Sequence, residues 1–106
     1  MELKELIDLS NRAFQEKNFQ KVIELLTKVI VLQPDRYEIY LRLGLASSSL
    51  GKLEEAIGFF EKGASINPNS SPIYCNLGNL YAELNNKNLA LIIILVAEFH
   101  LSALIF

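Results

Sequence analysis

Residues 34–68 decide the fold, and they read PDRYEIYLRLGLASSSLGKLEEAIGFFEKGASINP. The prolines at the two ends of this stretch, Pro34 and Pro68, are 34 residues apart. When the chain is aligned on them, the same order of bulky and small side chains returns before and after this stretch. Self-similarity at a fixed period of this length is the signature of a repeat protein. We therefore expect stacked copies of one small structural unit.

Six columns of the alignment agree in residue size across the repeats. They are Leu6/Tyr40/Tyr74, Leu9/Leu43/Leu77, Ser10/Gly44/Gly78, Val22/Ala56/Ala90, Leu26/Phe60/Ile94 and Val29/Gly63/Ala97. The column that contains Gly44 and Gly78 predicts a close approach of two helices. A large residue in place of Ala56 or Ala90 would push those helices apart, at a cost of about 1–3 kcal/mol.

Each repeat reads as two helices joined by a tight turn. Gly51 ends the first helix of the second repeat, because glycine adopts the left-handed conformation that a C-terminal cap requires. Asn18, and Asn85 or Asn86, are expected to serve the same turn in the other repeats. Pro68 stops the second helix. The predicted helices span residues 2–16, 19–32, 36–50, 53–66, 70–84 and 87–104.

The period and the order of residues resemble the tetratricopeptide repeat. Residues 74–81 (YCNLGNLY) are similar to the first helix of that family, and residues 51–60 (GKLEEAIGFF) to its turn and second helix. The resemblance covers about residues 3–101. It implies an all-α, right-handed superhelix (a solenoid) of three helix–turn–helix units, with six helices. We expect one domain over residues 1–106, with units at about 3–36, 37–70 and 71–106.

The resemblance also implies a binding site for a protein or peptide partner. In the family, the first helices of successive units line a concave groove that accepts a peptide or a helix. Arg42 in that groove could bind a carboxylate bidentately, and asparagine side chains could hydrogen-bond to a peptide backbone. The expected groove residues are Asn11, Arg42, Leu45, Asn76, Asn79 and Glu83, with Lys4 and Asp8 beside them.

The last predicted helix departs from the pattern, because residues 89–106 read LALIIILVAEFHLSALIF and are apolar nearly all round. Ile92, Leu95 and Val96 stand where the first repeat has polar residues. Burial of such a side chain is worth roughly 1.5–3 kcal/mol, so we expect this surface to be covered. Self-association, as a homodimer in particular, is expected through Leu91, Ile92, Ile93, Leu95, Val96 and Phe99.

Residues 89–106 have two alternative interpretations. The segment is long enough to be a C-terminal membrane anchor, although Glu98 within it would cost about 2.5–3.5 kcal/mol on insertion. Alternatively, the array continues and a following helix covers the surface. If the helices dimerise, burial of His100 would make the contacts sensitive to pH.

Composition and motifs argue against the remaining function classes. The net charge of −2 and the few aromatic residues (9%) give no basis for nucleic-acid binding. The chain has one cysteine, Cys75, and one histidine, which excludes a disulfide or a multi-residue thiolate or imidazole metal site within one chain. Phosphate-loop and paired-carboxylate motifs are also lacking. We expect a cytoplasmic scaffold without cofactor, metal or enzymatic activity.

Overall fold

The computed structural model describes the backbone of residues 1–105 and the side chains of residues 1–99. Within those residues the chain is all-helical, without a β-strand. The helices are α1 (Leu3–Gln15), α2 (Phe19–Leu32), α3 (Tyr37–Ser49), α4 (Leu53–Ile66) and α5 (Ser71–Ile105). The expected pH sensitivity of His100 concerns a side chain outside the described ones.

Helices adjacent in sequence pack against each other, α1 on α2, α2 on α3, α3 on α4 and α4 on α5. This order is that of a solenoid, in which each element contacts its neighbours along the array. The molecule measures 66 × 28 × 21 Å, and its radius of gyration is 18.4 Å. A compact domain of this size would have a radius near about 13 Å. The elongation reflects α5, which is about 52 Å long.

The turns inside the first two hairpins have the same geometry, 34 residues apart. Lys17 (φ 58°) and Gly51 (φ 77°) both adopt the left-handed conformation. The amides that follow close each turn in the same way, with Asn18 donating to the Ala13 carbonyl at 2.8 Å and Lys52 to the Ser47 carbonyl at 3.0 Å. Asn18 does not supply the positive φ; its side chain caps α2 by accepting from the Lys21 amide at 3.3 Å.

The prediction of six helices is wrong, because the last two form the single helix α5. Asn85 occupies the turn position of Lys17 and Gly51 but lies inside α5. An asparagine tolerates the left-handed conformation and is equally able to stay helical, so the residue type does not force a turn. The chain therefore has two closed hairpins. The first helix of the third unit continues without a turn through residues 85–99.

The residues of the repeat columns are buried in the first two units, except for the half-buried Leu9, and are mostly exposed in the third. Phe60, Leu26, Leu43 and Val22 are at most 1% exposed, so they form the core of the stack. In the third unit Leu77 is buried. The other five third-unit residues of those columns are exposed: Tyr74, Gly78, Ala90, Ile94 and Ala97. The missing turn at Asn85 explains this difference, because no second helix returns along α5.

The closest approach of helices in the second hairpin is at Gly44. A Cβ atom built on Gly44 would lie 2.5–2.7 Å from three ring atoms of Phe60. Contacts under about 3 Å between carbon atoms are strongly repulsive, so this position requires the absence of a side chain. The predicted close approach is confirmed at Gly44 and is wrong at Gly78, where nothing lies within 4 Å of an added Cβ atom.

Replacement of Gly44 with alanine is expected to destabilise the protein by about 1–3 kcal/mol through overpacking. The gain of about 0.8–1 kcal/mol that alanine brings to a helix interior offsets part of this loss. Urea denaturation followed by circular dichroism measures the difference. Gly58→Ala in α4 is the matched control, because nothing lies within 4 Å of its added Cβ atom. The control should be more stable than wild type, and a Gly44→Ala variant of equal or greater stability would contradict the packing described.

Candidate functional site

A cavity of about 180 Å³ opens between α1 and α3. Both helices are the first of their hairpins, which is where the groove was expected. Residues from α1, α2, α3 and the turn before α3 line it: Ile7, Ser10, Asn11, Leu26, Arg36, Glu38, Ile39 and Arg42. Its floor is apolar and its rim carries two arginines and a carboxylate. Such a mixture suits a peptide that buries one side chain and places a charged group at the rim.

Arg42 is held in place by two contacts to α1. Its Nη1 donates a hydrogen bond to Oδ1 of Asn11. Its guanidinium carbon lies 5.5 Å from the centre of the Phe14 ring, within range of a cation–π interaction. Phe14 in turn packs edge-to-face on Phe19, with ring centres 5.8 Å apart. Two of the predicted site residues, Asn11 and Arg42, are thus brought together across the hairpin boundary.

Four other predicted groove residues lie elsewhere along the array, outside the lining of this cavity. Leu45 is half-buried and packs against the core formed by residues of α4 and α5, such as Phe60 and Leu77. Asn76 donates to the carbonyl of Pro72 at 2.8 Å, one helical turn back. Asn79 and Glu83 are exposed on α5. Their part in binding stays a prediction.

Sequence reasoning missed two charged residues at the rim, Arg36 and Glu38. Glu38 follows Lys4 by one repeat period, so the column of Lys4 was the signal that could have found it. Arg36 lies in the turn before α3, where helical periodicity does not predict the direction of a side chain. Its Nη1 donates to Oε1 of Gln33 at 3.0 Å, which directs the side chain along the turn.

A hydrogen bond between side chains also joins α4 to α5. The phenol of Tyr81 donates to Oε1 of Glu61 at 2.5 Å. This hydrogen bond to a carboxylate raises the pKa of Tyr81 above its ordinary value. The hydrogen bond links the exposed side of α5 to the preceding helix.

The predicted self-association surface is exposed on α5. Its six residues are each 50–74% exposed: Leu91, Ile92, Ile93, Leu95, Val96 and Phe99. Soluble monomers seldom expose a contiguous apolar surface of this kind without a function. By length and composition, the part of α5 from Ser71 to Phe99 could also cross a membrane.

The remaining candidates for chemistry are isolated. Cys75 is a free, exposed thiol on α5. Among the described residues, histidine, cysteine and acidic side chains form no group of three that could hold a metal ion.

The fold and the groove together define a helical-repeat protein. Two tetratricopeptide repeat models match the sequence, one over residues 37–70 and one over 59–92, and together they span more than half of the chain. The chain therefore belongs to the tetratricopeptide repeat family.

Known proteins are similar to this chain over most of its length. Tetratricopeptide repeat protein 37 of Xenopus laevis is 28% identical over 87 residues, which are 82% of this chain and 6% of that protein. The solved structure of MamA MSR-1 superimposes with a TM-score of 0.75 at 26% identity, over 85% of this chain and 52% of MamA. This chain thus corresponds to about half of that structure.

A third comparison shows the fold alone. The first tetratricopeptide repeat domain of Spaghetti (RPAP3), solved with the HSP90 peptide SRMEEVD bound, gives a TM-score of 0.54 at 19% identity. The match covers 78% of this chain and 93% of that domain.

The link between Asn11 and Arg42 is expected to stabilise the stacking of the first two hairpins. In a double-mutant cycle with Asn11→Ala and Arg42→Met, we expect a coupling free energy of about 0.5–1.5 kcal/mol. Methionine keeps most of the apolar stem, so the cycle reports the polar contact. The free energies of unfolding come from urea denaturation at low salt. Strictly additive effects of the two substitutions would show that the hydrogen bond contributes nothing.

Proposed function

We propose that this chain is a protein-interaction module that binds an extended peptide in the groove between α1 and α3. The observation that carries the proposal is Arg42, whose guanidinium is oriented by Asn11 and Phe14 at the rim of an apolar cavity. The guanidinium has further N–H donors beyond the one that contacts Asn11, and these suit a carboxylate. Because the side chain is already oriented, less conformational entropy is lost on binding.

The proposed ligand has two chemical features. An apolar side chain would enter the cavity floor formed by Ile7, Leu26 and Ile39. An acidic side chain or a terminal carboxylate nearby would approach Arg42 and Arg36. Glu38 on the same rim would repel a second acidic group, so the spacing of charges in the peptide should matter.

Screening of a random peptide library is expected to yield peptides with an apolar residue next to an acidic one. For these peptides, Arg42→Gln should raise the Kd about tenfold or more, because a charge-assisted hydrogen bond is lost. Arg12→Gln is the matched control, since Arg12 is an exposed arginine of α1 outside the cavity lining. If the selected peptides bind both variants as tightly as the wild type, the result would contradict peptide binding in this groove.

We further propose that the chain self-associates through the exposed apolar part of α5. The supporting observation is that every described side chain from Asn85 to Phe99 is exposed, including a run of isoleucines, leucines and a valine. Each of these apolar residues gains roughly 1.5–3 kcal/mol when it is buried. Several such residues, buried together, can offset the roughly 4–15 kcal/mol that association costs.

The first repeat supplies the substitutions that test self-association. Ile92, Leu95 and Val96 occupy the columns of Glu24, Thr27 and Lys28. The triple variant Ile92→Glu, Leu95→Thr, Val96→Lys should therefore be monomeric by light scattering, whereas the wild type should be a dimer or larger.

The control variant, Val31→Lys with Leu32→Gln, removes exposed apolar side chains at the end of α2. It should associate as the wild type does. A wild-type chain that is monomeric at every soluble concentration would contradict this proposal.

The alternative function is a membrane-anchored adaptor, with residues 89–106 in the bilayer and the groove outside it. The observation that favours it is the length and apolar character of α5, whose candidate span is only 6% buried. Flotation with liposomes separates the two. A chain that floats with lipid and needs detergent for extraction is anchored, and a chain that stays in the aqueous fraction as an oligomer is not.

A further inference from the structure

A row of exposed positions runs along one side of α5. Successive members of the row are alternately three and four residues apart, which is the heptad spacing of helices that pair as a coiled coil. We call this row the seam of α5, and its members, all exposed, are Cys75, Gly78, Ala82, Asn85, Leu89, Ile92, Val96 and Phe99. The seam is about 36 Å long, or roughly three and a half heptads. A heptad pattern of this length indicates a partner helix.

The seam faces away from the helix on which α5 packs. Ile73, Leu77 and Leu80 are buried residues of α5, and they pack with residues of α4 such as Phe60. With about 3.6 residues per turn, the first half of the seam lies roughly 150–170° around α5 from these buried residues. Nothing lies within 4 Å of a Cβ atom built on Gly78, a member of the seam. A second helix can therefore lie along the seam without displacing α4.

Charged residues of α5 lie outside the seam. Among the described side chains of this helix, only Glu83, Lys87 and Glu98 are charged, at the outward heptad positions b, f and c. The residues that border the seam between its ends, at positions e and g, are uncharged: Asn79, Tyr81, Asn86, Asn88, Ile93 and Leu95. The seam thus suits an uncharged, apolar helix, because α5 has no charge at the positions where coiled coils form ion pairs with a partner.

The side chains of the seam are small in its first half and large in its second half. The small ones are Cys75, Gly78 and Ala82, and the large ones are Leu89, Ile92, Val96 and Phe99. A parallel pair of α5 helices would place small on small at one end and large on large at the other, which leaves gaps. An antiparallel pair places a small residue of each helix against a large residue of the other. Because protein interiors are close-packed, the residue sizes favour antiparallel pairing with a second copy.

The heptad positions also define the register of this pair. In antiparallel helices an a position meets a d position of the other helix, and this gives four contacts, each of which occurs twice. They are Cys75 with Phe99, Gly78 with Val96, Ala82 with Ile92, and Asn85 with Leu89 of the second copy. The two residue numbers of each contact have the same sum, so a two-fold axis passes near residue 87.

Three asparagines of each copy lie close to this axis, Asn85, Asn86 and Asn88. The amide of an asparagine both donates and accepts hydrogen bonds, so the six side chains can bond to one another across the axis. A shift of the register by one heptad would instead place Asn85 opposite Val96, among apolar side chains. A polar residue at one core position of a coiled coil specifies the register in this way, at some cost in stability.

We propose that two copies of this chain pair their α5 helices antiparallel along the seam, as a two-stranded coiled coil. The inference rests on the proposed self-association and specifies its geometry. Both copies contribute the same surface, so the interface is isologous and closes at two copies. The four large apolar side chains of each seam become buried against the small half of the other seam. The two stacks of α1–α4 then lie at opposite ends of the paired helices.

A pair of cysteines tests the antiparallel register. In a Cys75→Ser background we introduce Gly78→Cys and Val96→Cys, which occupy one contact of the pair. Oxidation should convert most of the protein into a disulfide-linked dimer on a non-reducing gel. Within one chain the two thiols are about 27 Å apart along α5, so the disulfide must join two copies. The matched control is Gly78→Cys with Ala97→Cys, which moves one thiol by a single residue to an outward position and should cross-link far less.

The single-cysteine variants distinguish antiparallel from parallel pairing. In a parallel pair each cysteine would meet its own counterpart, so Gly78→Cys alone or Val96→Cys alone would form a disulfide. In the proposed pair neither should do so, whereas a mixture of the two single variants should form a mixed dimer. Single variants that cross-link as readily as the double variant would overturn the inference.

An exchange of residue sizes tests the contact between Ala82 and Ile92. Ala82→Leu should weaken the dimer about tenfold or more by overpacking, and Ile92→Ala should weaken it about as much by loss of apolar contact. The double variant restores one large and one small residue, and its dissociation constant should return to within about threefold of wild type. Residues 82 and 92 of one chain are about 15 Å apart along α5, so the rescue must come from contact between copies. Additive weakening in the double variant would overturn the register.

Leu91→Ala is the matched control for Ile92→Ala. The two residues are adjacent and similarly exposed, at 59% and 55%. Their side chains leave the helix about 100° apart, and Leu91 lies outside the seam. Leu91→Ala should therefore change the dissociation constant by no more than about twofold, and circular dichroism checks that each variant folds. Equal losses at the two positions would overturn the inference, because they would show that the whole apolar circumference of α5 associates.

The outcomes separate this inference from the proposed self-association. A dimer by light scattering whose cysteine pair cross-links no better than the control would overturn the antiparallel seam and leave self-association intact. A chain that is monomeric at every soluble concentration would overturn both. A monomer that floats with liposomes would likewise overturn both, and would identify lipid as the occupant of the seam.

Discussion

The close approach of α3 and α4 at Gly44 is the constraint on which the repeat depends. The ring of Phe60 occupies the space that a side chain at Gly44 would need, and both residues are buried. This contact sets the register of the hairpin, and the turn at Gly51 closes it. In the first hairpin Ser10 and Leu26 occupy the same columns and are buried too. The stack therefore repeats one interface between the two helices of each hairpin. The repetition ends in the third unit, where no second helix packs back on α5.

The sequence predicted the first four helices well, because each has both an apolar stripe and a turn signal. Gly51 and the prolines mark their ends, and the columns specify their buried faces. The prediction of a separate sixth helix was wrong for a physical reason. Its apolar stripe is present at Ala90, Ile94 and Ala97, but Asn85 permits a turn without requiring one. Periodicity identifies the faces of a helix and does not establish which chain covers them.

The candidate groove was predictable where it is built from helices. Asn11 and Arg42 belong to first helices of successive units, and the structure brings them together. Glu38 lies on the same type of helix and follows from the column of Lys4. Arg36 could not be found in this way, because the direction of a side chain in a turn depends on local hydrogen bonds such as the one to Gln33.

The exposure of α5 beyond Leu84 has a consequence for how this part of the chain becomes ordered. A helical segment of about 15 residues that packs on little else has roughly the stability of an isolated peptide, which is marginal in water. Its backbone amides should exchange with solvent far faster than those of α3 or α4, which lie in the core of the stack. If residues 85–99 are covered by another surface, that contact supplies most of their folding free energy, and the ordering of this segment is coupled to the contact.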